Sequence, residues 1–121
     1  MYVKLEVMSD QTPRVPVSCA SLAETPISAE DAVTLARVFK AVGDPVRLRL
    51  LSLIASRDGE TCVCDLTAPF DVTAPTISHH LKVLREAGLI DCERRGTWVY
   101  YWARSESMAQ LSRILAPGAR V

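Results

Sequence analysis

The sequence lacks any apolar run as long as a membrane-spanning helix. The chain has 121 residues, of which 49% are hydrophobic, yet no stretch approaches the roughly 18 consecutive apolar residues that a bilayer crossing needs. Residues 1–16 also lack the continuous apolar centre of a secretory signal peptide. We therefore expect a single packed domain in the cytoplasm, without a membrane partner.

The sequence also lacks net charge, because 14 Lys and Arg residues balance 14 Asp and Glu residues. A neutral chain argues against a purely electrostatic nucleic-acid binder. The charge is nevertheless uneven: residues 1–31 carry two basic and five acidic side chains, whereas residues 73–104 carry five basic and three acidic ones. A nucleic-acid-binding surface is therefore most plausible in the second range.

Cysteine is scarce and does not predict a disulfide framework. The four cysteines are Cys19, Cys62, Cys64 and Cys92. Thiols in a cytosolic protein are more often buried, metal-binding or redox-active than paired. Cys62 and Cys64 stand one residue apart in the segment TCVCDL, which makes them the first candidates for a functional site.

Composition shifts along the chain predict three parts. Residues 1–27 contain three prolines and no sustained apolar period, which predicts an N-terminal arm. Residues 28–116 carry helical and strand periods throughout, and we expect them to form the domain. Residues 117–121 follow as a short tail.

The first half of the domain predicts three helices. Ser28 followed by two acids is typical of a helix start, and Gly43 marks its end. Pro45 suits the first position of a second helix to about Ser56, whose apolar residues on most faces predict a central place in the core. A short helix should then contain TCVCDL, with Thr61 as its cap.

The second half predicts a longer helix, a hairpin and a final helix. Thr73 can cap a helix that Gly88 stops. The stretch LIDCERRGTWVYYW has β-branched and aromatic residues on both sides of Arg95-Gly96, as a hairpin requires. An amphipathic helix over about 105–115 follows. The predicted fold class is therefore mainly α with a β-hairpin wing, in the order of a winged helix-turn-helix.

One face of the helix that Thr73 caps, together with the hairpin, has the residue types of a DNA-binding surface. A helix fits the major groove, where short polar groups, imidazoles and cations read base edges or hold phosphates. Arginines on a hairpin suit phosphates or a neighbouring minor groove. A solvated polar face is the alternative interpretation. The candidate DNA contacts are Thr76, Ser78, His79, Lys82, Arg94 and Arg95.

Four segments, in this order, resemble the ArsR/SmtB (arsenic-repressor) family of bacterial transcriptional repressors: FKAVGDPVRLRLLSLI, CVCDL, PTISHHLKVLREAGLI and RRGTWVYYW. The resemblance covers about residues 32–104. It implies a homodimer that binds a palindromic double-stranded operator and leaves it when thiophilic ions bind. It also implies that Ser78 and His79 lie on the recognition helix, that Arg95 and Gly96 lie on the wing, and that the first and last helices form the dimer contact.

The Cys62–Cys64 pair can bind one soft ion only if it lies at the irregular start of the predicted short helix. On a regular helix the two side chains would point about 200° apart, but at a frayed or extended helix start they can meet. There, the positive end of the helix should favour thiolates. Sulphur ligands select soft ions.

A trigonal thiolate site needs a third ligand. The arsenic branch of the family often has a cysteine three residues after the second, where this chain has Thr67. Cys19 in the N-terminal arm is the expected third ligand, since the similar cadmium/lead branch adds arm cysteines, of which this chain has one. As(III) or Sb(III) is thus the expected inducer, with Cd(II) or Pb(II) next.

Other functions are weaker matches. Oxidation of Cys62 or Cys64 could switch the same DNA reader. A thiol enzyme would need a phosphate-type loop or a Cys-x-x-Cys after a strand, and the sequence has neither, so we expect no enzyme.

Cys92 should be a buried small apolar residue, and His80 a packed, hydrogen-bonded side chain at the edge of the core.

Overall fold

A computed structural model describes residues 21–57 and 59–117. Cys19 and the rest of residues 1–20 lie outside the described residues. Within these ranges the helices are α1 (Ala29–Val42), α2 (Pro45–Ala55), α3 (Val63–Thr67), α4 (Ala74–Glu86) and α5 (Ser105–Leu115), and the strands are β1 (Thr61–Cys62), β2 (Ile90–Arg95) and β3 (Trp98–Ala103).

Capping side chains fix the starts of the long helices where the sequence predicts them. The Ser28 hydroxyl accepts the backbone N–H of Asp31 at 3.1 Å, and the Asp44 carboxylate accepts those of Val46 and Arg47. These bonds pair donors that the first helical turn leaves unsatisfied. At α4, the Thr73 hydroxyl accepts the N–H of Thr76 at 3.4 Å.

The three strands form one antiparallel sheet in the order β1-β3-β2. The predicted hairpin is confirmed: β2 and β3 pair from Ile90–Ala103 to Arg95–Trp98, and Gly96 has φ +63 at the turn. Hereafter this β2–β3 hairpin is called the wing. Strand β1 extends the wing sheet, since Thr61 pairs with Tyr101 and Cys62 with Tyr100.

The predicted role of Thr61 as a helix cap is wrong. Thr61 is buried in β1, and α3 begins after Cys62, whose side chain makes no capping bond. A β-branched residue packs well on a pleated surface, and pairing with β3 holds Thr61 in extended backbone. Helix α3 ends at Thr67, slightly before the expected Pro69-Phe70-Asp71.

The core lies between α1, α2, α4, α5 and the inner face of the wing sheet. Ile77, Leu81 and Leu84 of α4 are fully buried, as their spacing predicts. Apart from these, the most deeply buried side chains include Val38, Leu50, Ile54, Leu66, Leu89, Ile90 and Ile114.

Apolar side chains also remain on the outside of the described chain. The central position of α2 is confirmed by Leu50 and Ile54, but its Leu48 is 54% exposed. Val33 of α1 and Leu115 of α5 are 59% and 60% exposed. Apolar side chains are therefore exposed on three of the described helices.

The last residues of the N-terminal arm contact the end of α5. The backbone N–H of Leu22 donates to the carbonyl of Ile114 at 2.9 Å, and the Ser21 hydroxyl donates to the carbonyl of Ala116. The arm is therefore joined to the domain from Ser21 onward. None of the helices in the described ranges is long and apolar enough for a bilayer crossing.

Candidate nucleic-acid interface and thiol site

The outward face of α4 brings together the four candidate DNA contacts of that helix. Ser78, His79 and Lys82 are exposed, and Thr76 is half-buried at the N-terminal end. The Thr76 hydroxyl lies 2.9 Å from that of Thr73, which fixes it beside the first turn. The face is polar, contiguous and backed by fully buried residues, as a helix that enters a groove requires.

Arg47 of α2 links α1, α2 and α4, a role that its neighbours in the sequence do not indicate. Its Nε donates to the carbonyl of Ala41 at 2.6 Å and its Nη2 to that of Lys40 at 3.3 Å. Its Nη1 lies 3.1 Å from Nδ1 of His80 on α4. The prediction that His80 is a hydrogen-bonded edge residue is confirmed, and its partner is a cation from another helix.

The two wing arginines differ in their surroundings. Arg94 is exposed. Arg95 makes a bidentate ion pair with Glu60, with Nη1–Oε1 2.6 Å and Nη2–Oε2 2.5 Å, and also donates to Glu93. Its guanidinium carbon lies 4.8 Å from the centre of the Tyr100 ring. The hydrogen bonds of this ion pair raise the pKa of Arg95 and lower the pKa of Glu60.

The two adjacent thiols meet where β1 passes into α3. Cys62 has extended backbone, with φ −69 and ψ 142. The rotation of about 100° per residue that separates side chains along a regular helix therefore does not apply between Cys62 and Cys64. The sulphur atoms lie 2.8 Å apart. Cys62 is half-buried and Cys64 is exposed. The structure therefore places both sulphurs on one side of the strand–helix junction, within reach of solvent.

The expectation that the helix start favours a Cys64 thiolate is wrong. The pKa of Cys64 is raised, first because its thiol donates to the Cys62 sulphur, and further by the nearby carboxylate of Asp65. A hydrogen bond donated by the neutral form favours that form. Helix α3 has only five residues, and the Cys64 thiol must give up its proton when its sulphur binds an ion.

The described residues supply two of the three proposed ligands. Within residues 21–57 and 59–117, no group of three or more His, Cys, Asp or Glu side chains is placed to hold a metal ion. Cys92 is 4% exposed on the inner face of the sheet, and burial raises the pKa of its thiol. This confirms Cys92 as a buried small residue. Cys19 lies outside the described residues.

The helix pair α3–α4, the buried support behind it and the antiparallel wing define a winged helix-turn-helix protein. Residues 44–91 match the family described as "Bacterial regulatory protein, arsR family". The chain belongs to the ArsR family, which consists of DNA-binding transcriptional regulators rather than enzymes. The resemblance noted in the sequence is therefore confirmed.

The relatives include proteins named for arsenical resistance and for cadmium resistance. The arsenical resistance operon repressor of Bacillus subtilis is 47% identical over 70 residues, 58% of this chain and 66% of that protein. The cadmium resistance transcriptional regulatory protein CadC homolog of Staphylococcus aureus is 33% identical over 89 residues, 74% of this chain and 73% of that protein.

A solved structure supports the fold. It is the homodimeric winged helix-turn-helix DNA-binding domain of Mb0332 from Mycobacterium bovis, described as a possible ArsR-family transcriptional regulator. It matches with a TM-score of 0.58 at 32% identity, over 72% of this chain and 82% of that chain.

Proposed function

We propose that the protein is a homodimeric repressor that releases its operator DNA when As(III) or Sb(III) binds Cys62, Cys64 and Cys19. The observation that carries this proposal is the 2.8 Å separation of the Cys62 and Cys64 sulphurs at the entrance to the helix-turn-helix. An ion held there touches the element that leads into the recognition helix.

The donor set fits a soft ion. Thiolate sulphur selects thiophilic ions over magnesium or calcium, and Cys64 is open to solvent. The pair supplies two ligands, and a trigonal site needs one more. Cys19 is proposed as that ligand, within the same chain or from the partner.

The proposed DNA contacts divide into base readers and phosphate binders. Ser78 and His79 would face base edges in the major groove, Lys82 would hold a phosphate, and Thr76 would hold a phosphate or a base. Arg94 would reach phosphates or the neighbouring minor groove from the wing. Arg95 is proposed there as well, but it can reach DNA only by leaving Glu60.

The proposed homodimer is supported by exposed apolar residues and by the small surface that one recognition helix can bury. Val33 on α1 and Leu115 on α5 are more than half exposed, and the Mycobacterium bovis relative is homodimeric. Two recognition helices related by a two-fold axis read two half-sites about one helical turn apart. The operator is therefore proposed to be palindromic, and the protein to act in the cytoplasm.

Cd(II) or Pb(II) is the second candidate inducer, because the Staphylococcus aureus relative is named for cadmium resistance.

Redox sensing is a weaker candidate function. Fast oxidation needs a thiolate, and the raised pKa of Cys64 disfavours one.

The deciding experiment is operator binding, measured by fluorescence anisotropy and titrated with As(III), Cd(II), Pb(II) and Zn(II). For the wild type, we expect arsenite to weaken operator binding by about 30- to 150-fold, equivalent to about 2–3 kcal/mol of coupling. Cys62→Ser and Cys64→Ser should bind the operator normally and lose this response. Cys92→Ala is the matched control and should respond like the wild type.

Cys19→Ser tests the third ligand in the same assay. A loss of arsenite response with intact operator binding supports Cys19. A normal response from Cys62→Ser or Cys64→Ser would place the inducer site elsewhere. Stronger release by Cd(II) than by arsenite would make the second candidate the inducer.

A further inference from the structure

The ion pair between Glu60 and Arg95 joins the thiol segment to the wing. Glu60 precedes β1, and Arg95 is the last residue of β2, so the contact spans the whole three-stranded sheet. We propose that this ion pair transmits ion binding at Cys62 to the wing, which makes Glu60 and Arg95 positioning residues for induction. This inference rests on the proposed function.

The outer face of the sheet places the ion pair beside the thiol. Cys62 is opposite Tyr100, and Tyr100 is opposite Glu93. Directly paired residues project on the same face of a sheet, so Cys62 shares the face that carries Tyr100. Glu60 is two residues before Cys62, and the strand period of two puts both on one side.

Arg95 lies across this face rather than away from it. Its guanidinium sits over the Tyr100 ring, 4.8 Å from the ring centre, and bonds both Glu60 and Glu93. Bidentate arginine–carboxylate contacts within a network are the exposed ion pairs that contribute measurably. The side chain therefore spans from the wing to the residue that enters β1.

Strand β1 is too short to transmit a displacement by its backbone alone. It has two residues and two pairs with β3, whereas the wing hairpin has six pairs. Short pairings separate easily. An ion bound to both thiols must separate their sulphurs beyond the present 2.8 Å, because metal–sulphur bonds of about 2.3 Å at open angles place two ligand sulphurs farther apart than that. Strand β1 can then shift without the wing unless a second connection holds them together. Glu60 and Arg95 supply that connection.

The consequence is a two-part response to the ion. The α3 side of the site acts on the helix-turn-helix through Cys64, and the β1 side acts on the wing through Cys62 and Glu60. Breaking the ion pair should leave the first part and weaken the second. Glu60→Gln, which removes no proposed DNA contact, should also leave the unloaded repressor able to bind DNA, because the wing keeps its pairing within the hairpin.

The test compares Glu60→Gln, Arg95→Gln and the double variant in the full-length protein, with arsenite as the probe. Glu106→Gln is the matched control, since Glu106 is 83% exposed and pairs with Arg104 at the other end of the sheet. The readout is the ratio of operator affinities without and with arsenite. A second readout, without arsenite, is hydrogen exchange of the peptide containing Thr61 and Cys62.

We expect Glu60→Gln to reduce the arsenite ratio by about two- to fivefold, which is the range of an exposed ion pair, without weakening arsenite-free operator binding. Arg95→Gln should reduce the ratio similarly, and the double variant no further, because both changes remove one contact. Exchange in the Thr61–Cys62 peptide should be faster in Glu60→Gln than in Glu106→Gln.

A wild-type arsenite ratio in Glu60→Gln, or additive losses in the double variant, would overturn the inference while leaving the proposed function intact. If the wild type itself does not release the operator with any thiophilic ion, the proposed function fails. The hydrogen-exchange comparison then decides alone whether Glu60 holds β1 to the wing, and equal exchange in the two variants would reject that connection.

Discussion

Cys62 lies directly opposite Tyr100 in the β1–β3 pair, so one of the two adjacent thiols belongs to the wing sheet. The other, Cys64, belongs to the first turn of α3. The 2.8 Å contact between their sulphurs therefore joins the wing sheet and the helix-turn-helix at one point. An ion bound there would fix the angle between the wing and the helix-turn-helix.

The pH dependence of ion binding should identify the type of inducer. Arsenous acid binds three protonated thiols with release of three water molecules and no proton, whereas Cd(II) must displace a proton from each protonated thiol. Because the pKa of Cys64 is raised, its thiol is protonated at neutral pH. Cd(II) affinity should therefore fall at least about tenfold per pH unit on acidification, and arsenite affinity should stay nearly constant.

Calorimetric titration without DNA, between about pH 8 and about pH 6.5, measures both affinities. Repeating the titration in buffers of different ionisation enthalpy counts the released protons. Arsenite binding that weakens with acid as steeply as Cd(II) binding would show that the Cys64 thiol does not start protonated.

Lys82 should contribute a phosphate contact. Lys82→Ala should weaken binding to specific and random DNA alike, and the slope of log affinity against log salt should shrink by about one. Lys40→Ala is a suitable control, because Lys40 is an exposed lysine in the last turn of α1. Competition binding over a series of salt concentrations measures the slope. An unchanged slope for Lys82→Ala would remove this residue from the interface.

Local signals in the sequence predicted the helices and the hairpin well. Ser28, Asp44 and Thr73 all cap helices, and the sequence predicted caps at Ser28 and Thr73 and a first helical residue at Pro45. Capping and helical period act over a few residues, so a single sequence displays them. The burial of Ile77 follows from the same short-range period.

Long-range contacts could not be predicted in the same way. Strand β1 has two residues, too few to show a period of two, and its partner lies about 40 residues later in the chain. Arg47 reaches His80 across 33 positions, and its sequence neighbours indicate only an apolar helix. The raised pKa of Cys64 depends on a sulphur contact that a regular helix would not allow.

Cys92 should be structural and should not take part in ion binding. Cys92→Ala should lower the free energy of unfolding by about 1 kcal/mol, as expected for removing one buried atom. Cys92→Ser should be less stable than Cys92→Ala, because it buries a hydroxyl at a position that is 4% exposed. Urea denaturation measures both. Loss of the arsenite response in a folded Cys92→Ala protein would contradict this assignment.

The contact between Arg47 and His80 should hold the recognition helix in position, and the two side chains should not touch DNA. Arg47→Gln removes the link from α4 to the end of α1, so operator affinity should fall while the salt slope stays unchanged, unlike the result expected for Lys82→Ala. Losing charged hydrogen bonds should also lower the free energy of unfolding by about 2 kcal/mol. His80→Ala should lower operator affinity in the same way.

Arg49→Gln is the control on the same helix, since Arg49 lies over the Phe70 ring and not against α4. It should change stability by no more than about 1 kcal/mol. Operator titration at several salt concentrations, paired with urea denaturation, separates the two effects. A reduced salt slope in Arg47→Gln would mean that Arg47 binds phosphate directly. Additive losses in the Arg47→Gln/His80→Ala double variant would mean that the two residues act independently.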